Sequence, residues 1–257
     1  IMPLRLRSPH TGNLRAFPHG HPALAGNFPL PQSEPVTAPS RIRSRPVYVA
    51  TGARFNKRRW IASVTAGEAF GFLVPGVAWF AAWKLGLPPL LLACVVVAAG
   101  GVEGAVLGWS QWRVLREWQP AVTVRWVGLT ALAAALAWAC GMAPNTIHDL
   151  GAPAWASIAA GIAGAPVLLL GIGVAQWSVL RGFVPRAWRW VVANVLAWVI
   201  ALPPTFIGPA LVPSDAPVVL DLAVWGASGV MMAAILAAIT GEAIARLARE
   251  APGLAQA

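Results

Sequence analysis

Residues 87–110 read LPPLLLACVVVAAGGVEGAVLGWS, an apolar run whose single charged side chain is Glu103. A helix rises about 1.5 Å per residue, so this run is long enough to cross the hydrocarbon core of a bilayer. Gly100, Gly104 and Gly108 are spaced four apart, which places them on one face of such a helix. The stretch predicts a membrane-spanning helix with a flat stripe suited to close helix packing.

Five further apolar runs have similar lengths and are separated by segments that contain proline and glycine. They cover residues 61–83, 123–143, 153–177, 188–207 and 218–241. The composition agrees, because 58% of the residues are hydrophobic and only 11% are charged, with a mean hydropathy of +0.65. We therefore predict an all-α integral membrane bundle of six transmembrane helices over residues 58–250.

The region before the first span has a different character. Residues 1–57 are rich in Pro, Gly, Ser and Arg without sustained periodicity, which predicts a disordered, basic, cytoplasmic leader. Because Ile1 is not a normal initiator, we expect part of this leader to be absent from the native protein. Residues 251–257 are predicted to form a short tail.

The positions of Lys and Arg predict the orientation of the spans. Basic residues lie before the first span, between spans 2 and 3, between spans 4 and 5, and after span 6. The alternate connections contain only Lys84. Positively charged loops remain cytoplasmic, so both termini are predicted to be cytoplasmic. The excess of positive charge is thus explained without nucleic acid, which is not an expected partner.

A short motif occurs twice, as GWSQWRVLREW at 108–118 and as GVAQWSVLRGF at 173–183. The aligned residues are Gln111, Trp112 and Arg116 in the first copy, Gln176, Trp177 and Arg181 in the second, and the following pairs Arg125-Trp126 and Arg189-Trp190. The spacing accommodates one outgoing and one returning helix, which predicts three tandem hairpins at about 59–118, 119–182 and 183–249. Three hairpins form either a closed ring or an open arc, and periodicity does not choose between them.

The motif falls where the second helix of each hairpin leaves the membrane, so we interpret it as an interfacial anchor. The Gln amide satisfies interfacial polar groups, Trp lies at the headgroup boundary, and Arg extends toward the cytoplasm. The Arg-Trp pairs supply a phosphate contact and a ring, stacked by cation–π attraction. In the third hairpin, Glu242 aligns with the two glutamines.

The repeated QWxVLR segment, with its proline-containing turn and Arg-Trp pair, resembles segments of uncharacterised bacterial multi-pass membrane proteins with recurring QWLVLRR-like sequences. The likeness covers roughly residues 100–190, with echoes at 59–60 and 241–247. It implies a bacterial origin, and hence the bacterial cytoplasmic membrane, together with six spans. It implies no activity.

Two acidic residues inside the spans are the candidate ion or substrate site. Glu68 lies in span 1 beside Gly67 and Gly71, and Glu103 lies within the glycine stripe of span 2. An ionised carboxylate in hydrocarbon costs several kcal/mol, so such a group pairs with a base, faces water or takes a proton. The alternative is structural, with nearby arginines as ion-pair partners. The glycines predict that spans 1 and 2 pack closely against each other.

No metal site, cofactor or catalytic motif is predicted, because His, Cys, Asp and Ser do not cluster at ligand or triad spacings. The expected partners are the lipid bilayer and either another membrane protein or further copies of the chain. The leading hypothesis is a non-enzymatic membrane scaffold or subunit. The alternative is a small transporter or channel that uses Glu68 and Glu103, which a polar cavity reaching both acids would favour.

Overall fold

The computed structural model describes residues 54–213 and 215–251, and all regular structure in these residues is helical. In chain order, the helices are α1 Lys57–Lys84, α2 Pro89–Trp118, α3 Arg125–Asp149, α4 Ala154–Leu180, α5 Trp188–Ala201, α6 Pro203–Ala210 and α7 Val218–Glu250. The predicted disorder of the leader falls almost entirely outside the described residues, as does the tail beyond residue 251.

Six helical segments are long and apolar enough to cross a membrane, which confirms the predicted number of spans. Helices α5 and α6 together form one of them, Trp188–Ala210. Many large apolar side chains are exposed on the outer surface of the bundle, whereas several polar side chains are buried. This distribution suits a bundle surrounded by lipid, where polar groups must find partners inside the protein.

Local chemistry explains where the helices begin and turn. The side chain of Asn56 caps α1 by accepting a hydrogen bond from the backbone N–H of Arg59, 3.0 Å away. Proline at the first position of α2, Pro89, has no N–H that would need an intrahelical partner. Gly86 and Gly151 adopt positive φ angles of 64° and 84°, which allows the tight reversals between α1 and α2 and between α3 and α4.

The fifth span differs from its prediction as one continuous helix over 188–207. Helix α5 ends at Ala201 and α6 begins at Pro203, so the span is broken at Leu202. The reason is the dipeptide Pro203-Pro204, which lacks two backbone N–H groups and crowds the preceding turn. The two pieces of this span are consequently separate elements.

The six spans form a closed ring, which resolves the choice that periodicity left open. Each long helix packs against the next in sequence, and α7 packs against both α5 and α1. The starts of α1, α3 and α5 and the ends of α2, α4 and α7 form one end of the ring, which we call the basic end. Among the described residues, every Lys and Arg except Lys84 lies there or within about two turns of it.

The glycines permit close approach of the helices, but they do so at two different interfaces. Gly71 of α1 faces α2, where an added Cβ would lie 3.3 Å from the carbonyl oxygen of Glu103, and Gly67 faces Ser110 of the same helix. The stripe on α2 does not meet α1 as the sequence predicted. Its members Gly100, Gly104 and Gly108 face α3. Because α1 packs against α2 through its own glycines, the stripe on α2 packs against α3.

Candidate functional site

The two copies of the repeated motif make matching contacts in the interior of the ring. Gln111 and Gln176 are 1% and 0% exposed. The indole Nε1 of Trp126 donates to Oε1 of Gln111 at 3.1 Å, and that of Trp190 donates to Oε1 of Gln176 at 3.0 Å. Each Gln therefore accepts a hydrogen bond from a Trp in the first turn of the next span.

The two glutamines are also bonded to each other. Nε2 of Gln176 donates to Oε1 of Gln111 at 2.7 Å and to Oγ1 of Thr130 at 2.9 Å. The Thr130 hydroxyl in turn donates to the carbonyl oxygen of Trp126 at 2.8 Å. This buried network joins α2, α3, α4 and α5. Because its groups are shielded from water, leaving one unpaired is costly.

Three tryptophans meet at the basic end of the ring. Trp60, Trp126 and Trp190 are all 0% exposed, and the ring centroids of Trp60 and Trp126 each lie 6.0 Å from that of Trp190. Nε1 of Trp60 donates to Oγ1 of Thr240 at 3.2 Å, which links α1 to α7. We call these three residues the tryptophan plug, since they fill the interior at this end.

The structure corrects the interfacial interpretation of Gln111, Gln176, Trp126 and Trp190. A sequence period reports how far along a helix a residue lies, and it does not report which side of the helix faces the bundle. The amides and indoles face inward, where each satisfies the other. Thr240, rather than Glu242, completes the third junction, and Glu242 is exposed in ion pairs with Lys57, Arg246 and Arg249.

Cation–π contacts occur inside the motif rather than in the Arg-Trp pairs. The guanidinium carbon of Arg116 lies 4.7 Å from the ring centroid of Trp112, and that of Arg181 lies 5.0 Å from the ring of Trp177. Both rings are partly exposed near the basic end, as an interfacial anchor requires. Of the Arg-Trp pairs, Arg125 is exposed, and Arg189 instead forms an ion pair with Glu250 at 2.7 Å.

The two acidic residues line one cavity of about 330 Å³ inside the ring. All seven helices contribute to its wall. The polar or aromatic lining residues are Glu68, Phe72, Glu103, Trp138, Asn145, Trp198, Thr205, Phe206 and Trp225. The volume is within the range of small-molecule sites, roughly 300–1,000 Å³.

Glu68 is the least satisfied side chain of this cavity. It is 0% exposed, and neither carboxyl oxygen has a hydrogen-bond partner among residues 54–213 and 215–251. Glu103, by contrast, accepts a hydrogen bond from Nε1 of Trp138. The expected structural role, pairing with arginine, does not hold, because neither acid forms an ion pair within the described part of the chain. Arg59, for example, pairs with Glu117 at 2.8 Å.

The cavity is closed at one end and reaches the surface elsewhere. Trp60 of the plug lies two helical turns before Glu68, on the side of the basic end. Among the lining residues, Asn145 and Phe206 are exposed and lie toward the opposite end of their spans. The break at Leu202 also borders the cavity, with Thr205 of α6 in the wall. Irregular backbone in a span is tolerated where it faces protein or a cavity.

Sequence reasoning found the two acids but not the tryptophans that share the cavity wall with them. Trp138 lies in the middle of α3, and Trp198 lies eight residues after the buried Trp190. Those positions, away from the span ends, are the signal that distinguishes them from boundary residues. Nε1 of Trp198 is buried and has no partner in the described residues, so a free donor accompanies the free acceptors of Glu68.

Six spans closed around a polar interior define the chain as a multi-pass membrane protein. No family model, curated protein or solved structure matches the chain. Among the residues that the structure describes, no three His, Cys, Asp or Glu side chains are grouped to hold a metal ion. The polar side chains that line the cavity supply two carboxyl groups, an amide and a hydroxyl, and several aromatic rings accompany them.

Proposed function

We propose that the protein is a small membrane transporter whose substrate site is the cavity lined by Glu68 and Glu103. The observation that carries the proposal is the position of Glu68, a fully buried carboxyl group inside a span with both oxygens free. Such a group is expensive to keep in a membrane. Its retention beside a cavity is explained if the cavity is filled by a ligand during function.

The tryptophan plug and the broken fifth span support transport rather than passive conduction. A channel needs a continuous path, whereas Trp60, Trp126 and Trp190 fill the ring between the cavity and the basic end. Broken helices at the middle of the membrane are a recurrent feature of transporter sites. In this proposal the described state is accessible from one side, and substrate release requires the plug to separate.

We further propose that the basic end faces the cytoplasm of a bacterium. The basic side chains near this end support the placement, because short loops rich in Lys and Arg remain cytoplasmic. The cavity mouth near Asn145 and Phe206 then belongs to the external side. A reporter fused after residue 250 and a second one in the loop between α1 and α2 test this orientation by their opposite accessibility.

The transport proposal is tested in sealed vesicles that contain the purified protein and an internal pH-sensitive dye. Sugars, amino acids, carboxylates, amines and inorganic salts are added as separate classes, and internal pH and membrane current are recorded. We expect one class to produce a response that Glu68→Gln abolishes. Glu117→Gln is the matched control, because Glu117 is an exposed carboxylate paired with Arg59.

The alternative is the scaffold or subunit predicted from the sequence, which the close glycine packing also suits. A scaffold has no need to move solutes. The transport proposal is wrong if no solute class produces a vesicle response that depends on Glu68, and if Glu68→Gln leaves the set of proteins that co-purify with this one unchanged. Loss of a partner from that assembly in a Gly104→Ala variant, which disturbs the packing of α2 against α3, would then support the scaffold.

A further inference from the structure

We infer that the ligand of the Glu68–Glu103 cavity is a small organic cation, an ammonium compound with an oxygen that accepts a hydrogen bond. The inference rests on the proposed function for the location of the site, and it adds the chemical class of the ligand. It is drawn from four properties of the cavity wall: its charge, its aromatic rings, its unpaired polar atoms and its small number of metal-type ligands.

The charge of the wall selects against anions. Two carboxyl groups, those of Glu68 and Glu103, line the cavity, and no Lys, Arg or His does. An anion in this space would find no positive side chain to offset the loss of its hydration, whether the carboxyls are ionised or neutral. A cation beside Glu68 supplies the opposite charge that no described side chain provides.

The aromatic rings suit an organic cation rather than a hydrated one. Phe72, Trp138, Trp198, Phe206 and Trp225 all contribute to the wall. The rings of Phe72 and Trp225 are stacked with centroids 4.9 Å apart, which holds them in fixed orientation. Aromatic faces attract ammonium groups, and indole is the strongest of the natural ring types. Sugars and neutral alcohols can donate hydrogen bonds to the carboxyl groups, but they bring no positive charge to pair with an ionised carboxylate.

The cavity wall offers few ligands for an inorganic cation. Hard divalent ions take six or more oxygen ligands. The described residues hold no group of three His, Cys, Asp or Glu side chains, and one carboxyl of the pair, Glu103, already accepts from Trp138. The remaining oxygens of the wall are too few for a desolvated metal ion. An ammonium group is satisfied by one carboxylate and surrounding rings.

The unpaired indole N–H of Trp198 adds a requirement for an acceptor on the ligand. This nitrogen is buried and has no partner in the described residues. A buried donor without an acceptor costs free energy, so a hydroxyl or carbonyl oxygen on the ligand improves binding. An amino alcohol meets both needs, because its nitrogen carries the positive charge and its oxygen accepts the hydrogen bond.

Binding of the cation exchanges it for a proton of the Glu68 carboxyl. In this inference an uncharged carboxyl at Glu68 binds a cation only by giving up its proton. The O–H bond breaks, its electron pair remains on the carboxylate, and the proton leaves to water at the cavity mouth. The site holds either the proton or the cation, so movement of a monovalent cation in one direction returns one proton in the other.

Choline and its neutral carbon isostere, in which a carbon atom replaces the nitrogen, form a matched pair of probes. Calorimetry measures the binding of both probes, and of a carboxylate of the same shape, to the full-length protein in detergent. We expect choline to bind at least about tenfold more tightly than the isostere, and Glu68→Gln to remove that preference. Glu117→Gln, at an exposed carboxylate, should retain it. Tetramethylammonium, which lacks the oxygen, should bind more weakly than choline in the wild type but not in Trp198→Phe.

Several outcomes overturn the inference. An ammonium site at Glu68 is excluded by any one of three results. These are equal binding of choline and the isostere, tighter binding of the carboxylate, and a cation preference that survives Glu68→Gln. Binding is measured without a membrane gradient, so it is independent of transport. Choline binding without vesicle flux contradicts the transporter and retains the ligand class. Flux of another solute class without ammonium binding contradicts the ligand class and retains the transporter.

If Glu68→Gln fails to fold, Glu68→Asp serves in its place. It keeps the charge and withdraws it by one methylene, so choline affinity should fall by a larger factor than the affinity for the isostere, and the preference for choline should shrink. An affinity for the isostere that falls by the same factor would show a purely structural effect and overturn the assignment.

Discussion

Gln176 donates a hydrogen bond to Gln111, its counterpart 65 residues earlier, across 2.7 Å in the interior of the ring. Both residues also accept a hydrogen bond from a tryptophan in the first turn of the following span. The repeated motif thus joins neighbouring hairpins by their buried ends. Its recurrence is explained by the need to satisfy an indole N–H wherever one hairpin follows another.

Loss of this junction should destabilise the fold. Gln111→Leu removes the acceptor of Trp126 Nε1 and one acceptor of Gln176 Nε2. A buried donor left unpaired costs about 1–3 kcal/mol, so the midpoint of unfolding in a denaturing-detergent titration should fall. Trp109→Leu, on the outer surface, should have a smaller effect. Additive losses in a double variant with Gln176→Leu would contradict a coupled network.

The glycine stripe of α2 offers a test with a control on the same turn. Gly104→Ala places a Cβ about 2.9 Å from the backbone oxygen of Thr130, which cannot move independently of α3. Overpacking of this kind costs about 1–3 kcal/mol. At Gly101 the added methyl meets the Cβ of Ala135 at 3.6 Å and the backbone oxygen of Ala131 at 3.9 Å, which are ordinary contact distances, so Gly101→Ala should be neutral or slightly stabilising. Thermal unfolding in detergent distinguishes the two, and similar melting temperatures would exclude close contact along the stripe.

Glu68 and Glu103 should differ in their contribution to stability. Glu68→Met replaces a carboxyl without a described partner by an apolar side chain of similar length, which should raise stability by about 1–3 kcal/mol in the absence of ligand. Glu103→Met should gain less, because it leaves Trp138 Nε1 without its acceptor. Unfolding titrations measure both. A destabilised Glu68→Met would indicate that this carboxyl has a structural partner, and would argue against a site kept for a ligand.

The broken fifth span should be needed for movement rather than for folding. Replacing Pro203 and Pro204 by Ala restores two backbone N–H groups and allows α5 to continue into α6. We expect a higher melting temperature together with slower vesicle flux. Pro89→Ala, at the first position of α2, provides the control, since no helix is interrupted there. Unchanged flux in the double variant would show that the break has no part in transport.

The number of spans was predictable because bilayer thickness and backbone geometry leave little choice of length. The break at Leu202 was signalled by Pro203-Pro204, but the apolar run on both sides hid it. The acids were predictable as a candidate site since a carboxyl group in an apolar run is conspicuous. That only Glu103 has a hydrogen-bond partner depends on Trp138, 35 residues away, and no local pattern contains that information.

The inward direction of the motif was beyond the sequence for a related reason. A Gln or Trp near the end of a span is equally compatible with the headgroup region and with the bundle interior. The choice is made by which helices are neighbours, and therefore by the ring. The buried ring of Trp190 contacts the rings of both Trp60 and Trp126, and those contacts arise only after the spans have assembled.

The closure of the ring has a consequence for biosynthesis. Trp60 finds its acceptor in Thr240, 180 residues later, and the cavity around Glu68 receives part of its wall from α7. At about 5–20 residues per second, translation delivers the first span well before the last one. A nascent chain therefore holds an unshielded acid in the lipid until its final helix arrives. An incomplete product keeps that defect permanently, which gives the quality-control proteases of the cell a chemical difference between unfinished and finished molecules.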